Sequence, residues 1–312
     1  ISLGLVGSEM CIRDRNITVI GGDKNLQAVE LYADETLIAT WAVNGTYTQT
    51  LDTTTLADGV HILRLIISDL AGNTREVSIS ITVDNTPPDG QILAPENGSY
   101  VRGTITITVM AGDANLEVVE LYIDGTLVNS WDANGTYTHD WDTTLYADGP
   151  HVIALLVRDM AGNEEEAPIQ VSVDNTPPAI SSVEHSPEEP SEGEEVTVTA
   201  DVSDATSGLE RVVLYYRVGG GEWKSVEMTC SGSVWVATIP GSVSHPPSVE
   251  FYIVAEDTLG NSIKSSTYSI NIVPWYIVMW WLWLLIAIII ILIILFIYYN
   301  KRRAKAQQIP LK

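Results

Sequence analysis

Cysteine is almost missing from this 312-residue chain, which has only Cys11 and Cys230. No disulfide framework can therefore hold it together. Basic residues are also scarce, with 16 Lys and Arg against 40 Asp and Glu and a formal charge of -24. Such an acidic body repels a phosphate backbone, which excludes nucleic acid as an expected partner. It suits a solvated exterior, or one that gathers divalent cations. The sequence contains no HExxH, CxxC, GxSxG or phosphate loop, so no base and nucleophile are arrayed for catalysis and no enzyme is expected. No stretch before Pro274 keeps a 3.6-residue apolar period, which rules out a helical body.

What is abundant is Thr, Val, Ile, Asp, Gly and Asn, the strand and turn formers. The length suggests two or three domains. Val29–Pro88 and Val119–Pro178 align without a gap at an offset of 90, and 33 of their 60 positions are identical. Shared blocks are VELY, NGTYT, ADG-x-H, D-x-AGN and VDNTPP. A period near 90 is too long for a solenoid repeat and fits one β-sandwich per repeat. Thr104–Val109 and Ile169–Val173 alternate strictly, so each has one buried face. Leu116–Ile123 and Val152–Val157 are apolar runs of strand length bounded by Asp-Gly and Ala-Gly-Asn turns.

The expected fold class is all-β: tandem Ig-like and fibronectin-III-like sandwiches followed by one transmembrane α-helix. The expected modules are 16–88, 89–178 and 179–273, joined by the DNTPP segments Asp84–Pro88 and Asp174–Pro178. Two consecutive prolines fix φ and keep the residue before them extended, giving stiff connections. The third module departs from the repeat but carries DTLGN at Asp257–Asn261 and a hairpin, Arg211–Val218 to Trp223–Met228, across three glycines.

On LYIDGTLV, WDTTLYADGPHVIALLVRDMAGN and the VDNTPP joint, the repeats resemble the tandem Ig-like modules of bacterial and archaeal surface proteins. The third module resembles the fibronectin-III-like domain found before C-terminal anchors in archaeal surface proteins. These resemblances imply fold far more than function, since Ig-like sandwiches host many roles.

Residues 1–15 read differently. LVGSEMCIRDR resembles the translation of an adapter used in sequencing libraries, and similarity to the second repeat stops near Ile17. They lack the build of a signal peptide. On this reading Cys11 is not native, the chain is a fragment, and the first module lacks the opening strand that Gln91–Val101 supplies to the second. Cys230 is then expected as a small buried hydrophobe.

Val273–Tyr299 is 27 residues without a charge. At 1.5 Å per residue it spans about 40 Å, enough for a bilayer core. A membrane helix is expected over 274–299, with Trp275, Trp280 and Trp281 at one interface and Tyr298 and Tyr299 at the other. Lys301, Arg302 and Arg303 then place the tail, 300–312, in the cytoplasm.

Recurrent acids near turns and joints, Asp69, Asp84, Asp159, Asp174 and Asp257, are candidate Ca²⁺ ligands. The alternative is that they only shape turns. Calcium is the one cofactor the sequence leaves room for. Sequons at Asn44, Asn97 and Asn134 read equally as glycan acceptors or tight turns, and Asn16 adjoins the adapter-like text. His61 and His151 share a repeat position and read as structural fixtures. Trp41, Trp131, Trp141, Trp223 and Trp235 read as core.

The expected function is that of a plasma-membrane surface protein, single-pass and archaeal, whose ectodomain serves as adhesion or stalk modules. Its expected partners are the lipid bilayer and surface proteins or glycans. The alternative is that the chain is the stalk and anchor of a larger surface enzyme, glycan-binding protein or receptor.

Overall fold

Strand periodicity puts one face of each strand against a facing sheet, and two such sheets close a sandwich. The computed structural model describes residues 2–5, 11–12 and 15–306. The end of the tail and part of the 1–15 segment lie outside the described residues. The chain divides into two compact units, Ile1–Asp174 and Asn175–Lys312.

The first unit holds two sandwiches of one topology. In the second of them, Thr104–Gly112 lies between Gly135–Asp142 and Asp89–Ala94. The facing sheet runs Tyr100–Val101, Glu164–Val173, Gly149–Asp159, Leu116–Ile123 and Thr126–Trp131. The strands expected at Thr104–Val109 and Ile169–Val173 fall inside these elements, and Leu116–Ile123 coincides with one. Leu121, Ile153 and Leu155 are fully buried at the centre. Ninety residues earlier, Leu31, Leu63 and Leu65 fill the same places in the first sandwich. Each such burial is worth about 1.5–3 kcal/mol. Gly90 allows a close approach at the start of the second sandwich, because a Cβ there would sit 2.6 Å from Val157 Cγ2.

The first sandwich does not lack its opening strand. Ser2–Leu5 pairs antiparallel with Arg15–Gly21, as Asp89–Ala94 pairs with Thr104–Gly112. Cys11–Ile12 pairs parallel with Thr74–Val83, as Tyr100–Val101 pairs with Glu164–Val173. The reason is that ladder hydrogen bonds come from the backbone. An extended segment of unrelated sequence can therefore occupy a free sheet edge.

In the second unit, Ala179–Ser186, Val196–Ser203, Val234–Ile239 and Thr229–Ser231 form one sheet. Lys224–Glu227, Leu209–Val218 and Ser248–Asp257 form the other, with Ser262–Lys264 and Tyr268–Asn271 both pairing with the last of these. Phe251, Leu214 and Ile253 are fully buried between the two sheets. The expected hairpin is present, with Leu209–Val218 paired to Lys224–Glu227. Cys230 corrects an expectation, because it is exposed. It lies on the short edge strand Thr229–Ser231, beside a turn at Gly232 with φ of 72°. Met228 is the buried residue there.

A short helix, α1 (Trp275–Val278), starts at Pro274 and is followed by α2 (Trp280–Ala306). The helix thus runs past the expected end at Tyr299 and into the basic residues, since Lys and Arg are good helix formers. Trp280–Arg303 is long and apolar enough to cross a membrane, and none of its apolar window is buried. Trp275, Trp280, Trp281, Tyr298 and Tyr299 are all exposed.

Candidate functional site at the joint of the first unit

The joint begins where Thr74–Val83 leaves its sheet. Asp84 is 7% exposed. Its Oδ1 accepts from Thr86 N at 3.3 Å, and its Oδ2 accepts from Asn115 Nδ2 at 2.7 Å. The next residues are held by side chains as well as by proline. Asn85 N donates to Asp58 Oδ1 at 2.8 Å, and Asn85 Nδ2 donates to Thr53 O at 3.0 Å. The Thr86 hydroxyl donates to the other oxygen of Asp58. These bonds, led by that of Thr86, hold the Asp58 carboxyl below its ordinary pKa. Asp58 belongs to the ADG block, so the repeated ADG and DNTPP segments form one lock.

The second sandwich meets this lock with its D-x-AGN loop. Asp159 and Asn163 are fully buried. Asp159 Oδ1 accepts from Ala161 N at 2.9 Å and Asn163 N at 2.8 Å, while its Oδ2 accepts from Asn163 Nδ2 at 2.7 Å. Asn163 Nδ2 also donates to Asp84 O at 3.1 Å. Asp113 completes the group. Its Oδ1 accepts from Asn115 N at 2.6 Å, and Asn134 pairs with its backbone at 3.0 and 2.7 Å.

Asp84, Asp113 and Asp159 each offer one carboxylate oxygen, and the three oxygens lie within 4.8 Å of one another. Calcium takes oxygen ligands at about 2.3–2.6 Å, so one ion among them can reach all three. The donor set is hard and all-oxygen, which fits calcium or magnesium and not zinc. Three carboxylates this close repel strongly when two are buried, and a divalent cation would relieve that repulsion.

Of the acids expected from sequence, Asp84 and Asp159 come together and Asp69 does not join them. Asp69 occupies the corresponding loop of the first sandwich, where it accepts from Ala71 N, Asn73 N and Asn73 Nδ2 in the same pattern. Asp174 is buried, and its N donates to Val101 O at 3.0 Å. Asp257 is buried and accepts from Leu259 N and from both nitrogens of Asn261. Sequence reasoning missed Asp113. The signal was the shared G-D-x-N spacing of Gly22–Asn25 and Gly112–Asn115.

The sequons differ. Asn44 and Asn134 use Oδ1 and Nδ2 to clasp the backbone of Asp23 and Asp113. Asn97 is exposed and accepts from Gln170 N through Oδ1. The equivalent histidines tie two turns together. His61 Nδ1 lies 2.7 Å from Asp34 Oδ2, and His151 Nδ1 lies 2.7 Å from Asp124 Oδ2. Asp34 and Asp124 have φ of 52° and 49°. Trp141 is buried, while Trp41 and Trp131 are half-buried and stack on Tyr47 and Tyr137. Trp223 and Trp235 are half-buried.

Fold and joint together define tandem Ig-like β-sandwiches with one apolar C-terminal helix. Residues 4–85 match the model of a bacterial Ig-like domain, and residues 88–154 match that of a bacterial Ig domain. No curated protein matches the chain. The fibronectin(III)-like modules of Clostridium thermocellum CbhA are similar at 21% identity, over 55% of this chain and 93% of theirs, with a TM-score of 0.35. A tetra-tandem repeat from the extending region of a large adhesion protein is similar at 18% identity, over 86% of this chain and 73% of that one, with a TM-score of 0.33. The I67–I69 fragment of titin is similar at 13% identity, over 87% and 96%, with a TM-score of 0.45. Ig-like and fibronectin-III-like modules are structural units that typically carry no catalysis.

Proposed function

We propose that this chain is a membrane-anchored surface protein of a prokaryote, with its β-sandwiches standing outside the cell as stalk or adhesion modules. The observation that carries this reading is the exposed apolar helix Trp280–Arg303 in the same chain as bacterial Ig-like domains. Lys301, Arg302 and Arg303 follow its apolar part, which favours a cytoplasmic C-terminus in the plasma membrane. The bilayer is one partner, surface proteins or glycans are the others, and nucleic acid is not among them. The chain performs no catalysis in this role.

Its mechanism is mechanical. The joint within the first unit passes force through a short Pro-Pro segment pinned by side chains, and calcium held by Asp84, Asp113 and Asp159 would tighten it by bridging carboxylates from both sandwiches. Cell fractionation tests the anchor. The full chain should sediment with membranes and resist alkaline carbonate extraction, whereas a chain ending at Val273 should be soluble. Protease added outside intact cells should remove the ectodomain and spare a tag at the C-terminus. A full chain that stays soluble, or a tail tag digested from outside, would overturn the reading.

A further inference from the structure

The same loop is buried in one sandwich and open in the other. Asp159, Ala161 and Asn163 of the second sandwich are buried, Asp159 and Asn163 fully so. At the matching positions of the first, Asp69 is half-buried and both Ala71 and Asn73 are exposed. Local geometry does not account for the difference. Asp69 N donates to Asn73 O at 3.0 Å, as Asp159 N donates to Asn163 O at 3.1 Å, and Leu70 N donates to Asn25 O as Met160 N donates to Asn115 O. What covers the second loop is the tail of the preceding sandwich, Asp84–Thr86, held by Asn115 and Asn163. Asn25 and Asn73 are the corresponding donors in the first sandwich, and both are exposed.

An open cleft of about 180 Å³ lies at this end of the first sandwich, lined in part by Asp23, Asp69, Asn73 and Arg75. Arg75 stands where the second sandwich has Glu165. An acidic segment entering the cleft therefore meets a guanidinium, which offsets the repulsion of Asp23 and Asp69.

We propose that this end of the first sandwich is a preformed socket for the Val-Asp-Asn-Thr-Pro-Pro tail of a further Ig-like module. Asn25 would hold the carboxylate of the incoming aspartate, as Asn115 holds Asp84. Asn73 would bond the tail's main-chain oxygens, as Asn163 does. The occupant is identified by the joint already filled in this chain, whose receiving residues recur here at the same spacing. This deepens the stalk reading but is tested apart from it, because docking of two modules does not depend on the anchor.

The test adds the occupant. A copy of Asp89–Ala179 is fused directly ahead of residue 1 of the full chain, together with Ile1→Gly. Ser2 lies opposite Ile20 as Gln91 lies opposite Met110, so this fusion reproduces the spacing after Pro88. Hydrogen exchange is then read at Ala71–Asn73, with Ala161–Asn163 of the same molecule as the internal reference. Docking should slow exchange at Ala71–Asn73 about tenfold or more, towards the reference. Changing the Asp174 equivalent of the added copy to Ala should reverse that, and so should Asn25→Ala, which leaves the added copy untouched. Exchange unchanged by the fusion, or slowed equally when Asn25 is Ala, would overturn the proposal.

Discussion

Asn163 donates its side-chain amide to Asp159 within its own loop at 2.7 Å and, across the joint, to the main-chain oxygen of Asp84 at 3.1 Å. One buried side chain therefore shapes a turn and joins two sandwiches whose partners here are 79 positions apart.

Its removal should be costly for that reason. Asn163→Ala leaves the buried Asp159 carboxylate short of a donor and the joint short of a bond, a loss of about 1–3 kcal/mol. Asn73→Ala, at the exposed copy of the position, should cost less because water replaces the lost donor. Urea unfolding of the two variants measures both. Equal losses would show that the joint contact contributes nothing.

Calcium should raise the unfolding temperature of the ectodomain, and chelator should lower it. An ion present at 100 times its dissociation constant stabilises by about 2.7 kcal/mol. Asp113→Ala should reduce the response, because it removes one of the three converging carboxylates. A melt that is identical in calcium and in chelator would dispose of the metal.

Stability should also depend on pH through the two histidine–aspartate ties. The Asp34 hydrogen bond, then the Ala57 carbonyl, raise the pKa of His61 above 6.5. For His151 burial opposes the charge, yet the bonds to Asp124 and Ala147 outweigh it and the pKa again rises. A raised histidine pKa stabilises fully below the unfolded value and fades as pH climbs through the folded one. Asp34 and Asp124 are lowered from 3.8, so their share is present above that value and fades in acid. Both shares are therefore full between about pH 4 and pH 6.5. The unfolding temperature should be higher at pH 5.5 than at pH 8, and the gap should narrow in the Asp34→Asn, Asp124→Asn double variant. A gap of the same size in that variant would remove the histidine ties as its cause.

Glycan, where the host attaches it, should favour Asn97. Asn44 and Asn134 spend both side-chain atoms on the backbone of a neighbouring loop, and a sugar on Nδ2 would strain that clasp. Mass spectrometry of the native protein should find higher occupancy at Asn97. Higher occupancy at Asn134 than at Asn97 would contradict the distinction.

The repeat, the strand alternation of Thr104–Val109 and the charge-free run to Tyr299 were all legible in the sequence, because each is a local pattern with its own periodicity or length. Asp84 and Asp159 were legible as recurrent acids for the same reason. Asp113, the Asp58 lock and the exposure of Cys230 were not, since each depends on which loops register brings together. Asp84 and Asp159 lie in different sandwiches, and no local pattern brings their oxygens and that of Asp113 within 4.8 Å of one another. The opening strand of the first sandwich is the converse case. Its text differs from the repeat, yet Ser2–Leu5 pairs as Asp89–Ala94 does, because backbone hydrogen bonds do not read side chains. The sequence by itself determined the kinds of element and the order of the modules. The tertiary structure alone decided which acids share a site and which copy of the loop lies open, because burial and proximity belong to the packed chain.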